Sequence, residues 1–204
     1  MASSGFEIKI WNVLSATNWQ LIQTYSEKSM SSIPMEWLDV FTLASGNGFS
    51  GEVKIWSVST GKTKRTIKTR FSKGVDCLKL LSNKLHLAVG GSISTRGEIQ
   101  IYNINDGKLI STLSGHTGAV YDLIQINNEN TLASASGDKT IRIWNLISNE
   151  CKFILKGHAD WVVALKQINS QILASLSLSM ENAIKLWNFS TGELIRTLAS
   201  HNNW

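Results

Sequence analysis

The chain has 204 residues, 43% of them hydrophobic and 17% charged, with 20 Lys+Arg against 15 Asp+Glu for a formal charge of +5. That charged fraction falls below the usual quarter, which argues against a disordered chain, and no apolar run approaches the ~18 residues of a membrane helix. The two cysteines, Cys77 and Cys151, exclude a disulfide framework or a CxxC knuckle, and the start MASSGFEIKIW lacks a secretory layout. A soluble protein of a reducing compartment is therefore expected, cytoplasmic with the nucleus allowed.

In chain order, the first element is EIKIWN (7–12), which alternates apolar and polar side chains and closes on Trp11. That period of two marks a half-buried strand. WQLIQT follows, beyond a turn at Ala16. MEWL (35–38) and LAS (43–45) predict two short strands, then EVKIWS (52–57) repeats the opening pattern with Trp56, and KTKRTI follows Gly61. VDCL (75–78), LAVGG (87–91), EIQIYN (98–103) and KLISTL make a second full set, with Tyr102 and Gly107. VYDL (120–123), LASAS (132–136), TIRIWN (140–145) and CKFILK make a third, with Trp144 and Asn149. VVAL (162–165), LASLS (173–177), AIKLWN (183–188) and ELIRTL make the fourth, with Trp187 and Gly192.

The aromatics Trp11, Trp56, Tyr102, Trp144 and Trp187 are spaced 45, 46, 42 and 43 residues apart. Five residues after each stands a turn position, and Gly and Asn accept a left-handed backbone cheaply there. Ala16 departs from that rule, so the first turn is expected to be built differently. A repeat of about 40–45 residues with four strands is the arithmetic of a propeller blade.

LSGHTGAV (113–120) followed by LASASGDKTIRIWN (132–145) resembles a WD40 repeat, and the resemblance covers essentially the whole chain, 1–204 as one domain. The family's terminal Asp is replaced by Asn12, Asn103, Asn145 and Asn188, and once by Ser57. The expected fold is all-β: a β-propeller of WD40 type with about four and a half four-stranded blades. MEWL is aligned with the V-x-x-L strands as a weaker copy. Propellers usually close by completing one blade from both chain ends. Here the opening set has two strands, and LASHNNW (198–204) stops where another blade would begin. The expectation is a piece of a larger propeller, with a five-position ring or a dimer of open arcs as alternatives.

The resemblance implies a hydrogen-bonded tetrad of His116, Ser134, Asp138 and Trp144, and a partial one of His158, Ser175 and Trp187 with Glu181 in the Asp position. The first full set has Ser45 and Trp56 without a His; the second has Tyr102, with Val89 where Ser would stand. In such a chain every buried polar group has a partner, and removing one strands the others at about 1–3 kcal/mol each. Blades with a partial tetrad are expected to open more readily. Ser, His and Asp could also form a hydrolytic triad, but that needs an exposed, oriented nucleophile. Ser134 lies in a predicted inner strand and no GxSxG occurs, so no catalytic residue is assigned and no enzyme is expected.

Trp161, just before the V-x-x-L strand, matches a neighbourhood that the resemblance implies is partner-binding, and Trp204 is the same position in the next copy. The competing reading packs Trp161 on the adjacent blade. Trp19 and Trp37 are expected in packing. Lys62, Lys64, Arg65, Lys68, Arg70 and Lys73 form a basic run, either a patch for nucleic acid or acidic and phosphorylated ligands or lysines guarding an edge strand. Phe71 is the only interleaved aromatic, so nucleic acid is disfavoured. His86, His116, His158 and His201 make no ligand set, and neither metal nor cofactor is expected. The expected function is a non-catalytic scaffold for protein or peptide partners within a larger complex or parent protein. No membrane contact is expected, and the oligomeric state is left open.

Overall fold

The computed structural model describes residues 6–13, 19–27, 34–127, 130–178 and 183–198. It is built of strands. β1 (Phe6–Val13) and β2 (Trp19–Glu27) form a two-stranded antiparallel sheet. Four sheets of four antiparallel strands follow. The first joins β3 (Met35–Asp39), β4 (Thr42–Gly46), β5 (Glu52–Ser57) and β6 (Thr63–Lys68). The second joins β7 (Val75–Leu80), β8 (His86–Ile93), β9 (Arg96–Asn103) and β10 (Leu109–His116). The third joins β11 (Val120–Ile126), β12 (Thr131–Ser136), β13 (Ile141–Asn145) and β14 (Glu150–Leu155). The fourth joins β15 (Val162–Gln167), β16 (Ile172–Ser177), β17 (Ile184–Asn188) and β18 (Glu193–Leu198). Every sheet is a meander, and the first strands β3, β7, β11 and β15 contact one another in sequence. This is the propeller arrangement, with each sheet a blade.

The alternation within each strand explains the stacking. One face of a blade carries the aromatic and Leu of its middle strands; the other carries Ala, Ile and Val. Leu87, Val89 and Tyr102 of the second blade pack on Ala44, Val53 and Ile55 of the first. Leu132 and Trp144 of the third pack on Ala88, Ile99 and Ile101 of the second. Leu173 and Trp187 of the fourth pack on Ala133, Ile141 and Ile143 of the third. Burying each large aliphatic side chain among these is worth about 1.5–3 kcal/mol, so these faces bind neighbouring blades to one another. The far face of the fourth blade carries the same pattern uncovered. Ala135, Ile141 and Leu155 are at most 1% exposed, whereas their counterparts Leu176, Ile184 and Leu198 are 39–41% exposed.

The hairpins between third and fourth strands follow the turn positions in the sequence. Gly61, Gly107, Asn149 and Gly192 all have φ between 59° and 80°, a region that penalises other side chains. Ala16 lies outside the described residues. The Asn in the family's Asp position keeps the acceptor that the turn requires. Asn103 Oδ1 accepts from Asn105 N at 2.8 Å, Asn145 Oδ1 from Ile147 N at 2.8 Å and Asn188 Oδ1 from Ser190 N at 2.9 Å. Only one carboxylate-like oxygen is used, so the amide substitutes at little cost.

One alignment is corrected by register. Leu78, Leu123 and Leu165 pair with Val89, Ser134 and Ser175, and the residue pairing with Ser45 is Met35. MEWL therefore sits three residues out of step with VDCL, VYDL and VVAL. Its Leu38 is buried because it falls at the position of Leu81 and Ile126, at the strand's far end. Trp37 pairs with Leu43 and is half-exposed rather than packed in the core.

Candidate functional site

The third blade brings four distant residues into one string. Trp144 Nε1 donates to Ser134 Oγ at 2.8 Å, Ser134 Oγ lies 2.7 Å from His116 Nε2, and His116 Nδ1 lies 2.7 Å from Asp138 Oδ2. The indole can only donate, so the serine lends it a lone pair and sends its own proton to Nε2. That leaves Nδ1–H to donate to the carboxylate. Burial lowers the His116 pKa, against the pull of Asp138, so the ring is neutral at pH 7. Burial alone would raise Asp138, but hydrogen bonds from His116, Thr140 and Thr117 N hold its carboxylate well below the usual range. Ser134 is 0% and His116 2% exposed. A serine whose lone pair is taken by an indole, with no path to solvent, cannot meet a substrate.

The other blades solve the same position differently. In the fourth, Trp187 Nε1 and His158 Nε2 both reach Ser175 Oγ, at 2.8 and 2.7 Å; Glu181 lies outside the described residues. In the first, Trp56 Nε1 donates to Ser45 Oγ at 2.8 Å. In the second, with Val89 in place of the serine, Tyr102 turns its hydroxyl to Gln100 Oε1 at 2.6 Å, and Gln100 is wholly buried. The same oxygen accepts Arg70 N at 3.2 Å.

Gln100 was not singled out from the sequence, yet a signal was present. The residue two before each aromatic is Lys9, Lys54, Gln100, Arg142 or Lys185. Before tryptophan it is a cation, and Lys54 Nζ and Arg142 Cζ lie 5.3 and 5.8 Å from the ring centres of Trp56 and Trp144. Before tyrosine it is an amide, because a phenol needs an acceptor and an indole face attracts a cation. The glycine of the GH pair serves the same contact. Gly115 has φ +154°, and a Cβ there would stand 2.7 Å from a guanidinium nitrogen of Arg142.

Trp161 is 47% exposed and its ring tilts 34° over Tyr121, with centroids 5.6 Å apart. It is thus packed on the neighbouring blade and open to solvent at once. Trp204 lies outside the described residues, as does His201. The basic run does not gather into one patch. Arg65 crosses to the next blade and donates to the carbonyls of Asp106 and Asn105 at 3.0 and 2.7 Å. Lys64 Nζ donates to Thr42 Oγ1 at 2.7 Å. Lys62, Lys68, Arg70 and Lys73 are exposed, two of them in the loop past the strand. Alternation along β6 puts Lys64 and Lys68 on the face opposite Arg65. Among the described residues no cluster of His, Cys, Asp or Glu could hold a metal, and no helix is long and apolar enough to cross a membrane.

Comparison with known proteins agrees with this architecture. Residues 107–145 match the family described as WD domain, G-beta repeat. Cell division control protein 4 of Candida albicans is 38% identical over 94 residues, 46% of this chain and 13% of that protein. Apoptotic protease-activating factor 1 of Danio rerio is 28% identical over 153 residues, 74% of this chain and 12% of that protein. Nuclear distribution protein nudF 1 of Talaromyces marneffei is 34% identical over 109 residues, 52% of this chain and 24% of that protein. The chain thus spans at most about a quarter of the length of these relatives. The crystal structure of the computationally designed Ika8 protein superposes with a TM-score of 0.77 at 24% identity, covering 99% of this chain and 58% of that one. At that identity the likeness speaks for the fold alone. Residues 107–145 are thus matched outright as a WD40 repeat, and the copies on either side stand in phase with it and build the same blade geometry.

Proposed function

We propose that this chain is a non-catalytic platform that docks a protein or peptide partner on the rim where Trp161 stands, within a larger assembly. The observation that carries this reading is the pairing of a half-exposed Trp161, just before β15, with Tyr121 on β11 of the neighbouring blade. A rigid aromatic at a loop edge loses little entropy on binding and makes a strong anchor. The only Ser–His–Asp string among the described residues is spent on holding a blade together. The relatives are named for three different processes, so the shared repeat supports partner binding in general and no one process. The reading through residues 62–73 draws no support from the geometry, since Arg65 and Lys64 are engaged and the remaining cations are dispersed. Cys77 and Cys151, both free thiols, fit a reducing compartment, and we place the protein in the cytoplasm or nucleus.

The test is affinity capture from the source cell with wild-type chain and with Trp161→Ala side by side. A specific protein retained by the first and lost from the second supports the reading. Identical captured sets would overturn it.

A further inference from the structure

The fourth blade turns an apolar face away from the third, and among the described residues that face is left open. Strand register lays it out in rows. One row across the sheet runs Ala164, Leu176, Ile184 and Leu198. The next runs Lys166, Ala174, Leu186 and Arg196. The first row is apolar from end to end; the second is apolar in the middle and cationic at both ends. Lys166 and Arg196 are exposed, and among the described residues no side-chain hydrogen bond or ion pair engages either. Arg65, the counterpart of Arg196 in the first blade, instead donates to two carbonyls of the second.

Another blade, seated as the others are, is excluded by Leu176. Its counterparts are Gly46, Gly90 and Ala135, which pair with Val53, Ile99 and Ile141 as Leu176 pairs with Ile184. Small residues there make room for the first strand of the following blade. A Cβ on Gly46 would stand 2.5 Å from Val75 Cγ1, and one on Gly90 3.0 Å from Val120 Cγ1. A leucine puts still more carbon into that seat, and overpacking of this kind forces the backbone to shift. A second copy of this chain, laid face to face, would set two unpaired cations against two more. The acid of β18, Glu193, already accepts from Thr191 Oγ1 at 3.1 Å, and like charges across an interface oppose association. A lone extended strand lying on the face would bury amides that the side chains of a sheet face cannot pair. A helix satisfies its own amides and needs only side chains that match.

The spacing specifies those side chains. Three strand intervals of about 4.8 Å set Lys166 and Arg196 about 14 Å apart. A helix rising 1.5 Å per residue covers that distance in about ten residues, roughly three turns. We propose that the open face of the fourth blade docks an amphipathic helix of a protein partner, its apolar stripe on Leu176, Ile184 and Leu198 and a carboxylate at each end of the stripe. This surface is separate from the Trp161 rim, because Trp161 leans back on Tyr121 of the third blade, so it stands whether or not that rim binds.

The experiment is to pan a displayed library of helical peptides, with a fixed apolar stripe and random residues elsewhere, against the full chain. A selected peptide is then made synthetically and its affinity measured by fluorescence anisotropy. The expected result is enrichment of Asp and Glu at two positions roughly three turns apart. Binding should weaken at least about tenfold in Leu176→Glu, and as much in a chain carrying both Lys166→Glu and Arg196→Glu. Replacing the peptide's acids with lysine should weaken binding to the wild-type chain and restore it to the charge-reversed one, an exchange that a folding defect does not produce. Trp161→Ala should leave the affinity unchanged. Failure to select any peptide, or peptides indifferent to Leu176 and to both cations, would overturn the proposal. A dimer in sedimentation that Leu176→Glu dissolves would give the face to a second copy and overturn it too. Binding to phosphatidylserine vesicles that the charge-reversed chain loses would give it to lipid, with the same consequence.

Discussion

The second and third blades answer one packing problem in opposite ways. In the third, a polar string of four side chains from β10, β12, β13 and the β12–β13 turn runs through the interior. In the second, Val89 removes the central hydroxyl, and a tyrosine and a glutamine two residues apart satisfy each other on one strand. The first solution ties distant segments and leaves four groups interdependent; the second is local, so fewer groups fail together. A buried polar network is safe only when complete, and the difference lies in how many strands each network spans.

The largest expected effect comes from breaking the long string. Ser134→Ala should cost about 2–4 kcal/mol, because it leaves both the Trp144 N–H and the His116 Nε2 unpartnered in a dry interior, while Nδ1 keeps Asp138; urea unfolding measures it. Gln100→Leu should cost about 1–3 kcal/mol by stranding the Tyr102 hydroxyl and Arg70 N. Adding Tyr102→Phe should recover part of that loss, and the double-mutant cycle gives the coupling. Full additivity would show that Gln100 and Tyr102 do not act as a pair.

The two blades also differ in their response to acid. The folded pKa of His116 is lowered from 6.5, so the unfolded chain takes up a proton first. Its contribution is present above about pH 6.5 and is lost as pH falls below it. Asp76, raised from 3.8 to about 6, acts in the opposite sense: the folded state binds the proton more tightly, so acidification from about pH 6 to 4 stabilises. Melting followed from pH 8 to 4.5 should therefore fall more steeply in Asp76→Asn than in wild type. At pH 7 and above, the same variant should be more stable by about 1 kcal/mol, the raw shift being discounted for partial exposure.

The smallest effect is expected for Arg142→Met, which removes the cation over Trp144 and keeps the aliphatic bulk. It should cost about 0.5–1 kcal/mol. Lys54→Met in the first blade should cost no more, since Lys54 is in a similar place over Trp56. Thermal melts of the two variants side by side decide whether the residue two before each tryptophan is chosen for charge or for length.

What the sequence by itself determined is whatever depends on neighbours along the chain or on a repeating phase. Alternation to Trp56, Tyr102, Trp144 and Trp187 specifies the third strand of each blade, since side chains must point to opposite faces in turn. Gly61, Gly107, Asn149 and Gly192 specify the hairpins, since few residues accept a positive φ. The phase of GH, Ser, Asp and Trp specifies which four residues meet in the third blade. Other features were decided only by tertiary structure, because they depend on which residues from different blades come within reach. Strand pairing, which no local pattern encodes, put Met35 and not Leu38 opposite Ser45. The contiguous basic run was split because β6 alternates its faces and Arg65 found carbonyls on the next blade. Tyr121 and Trp161, about one repeat apart in the chain, meet because adjacent blades bring their inner strands side by side.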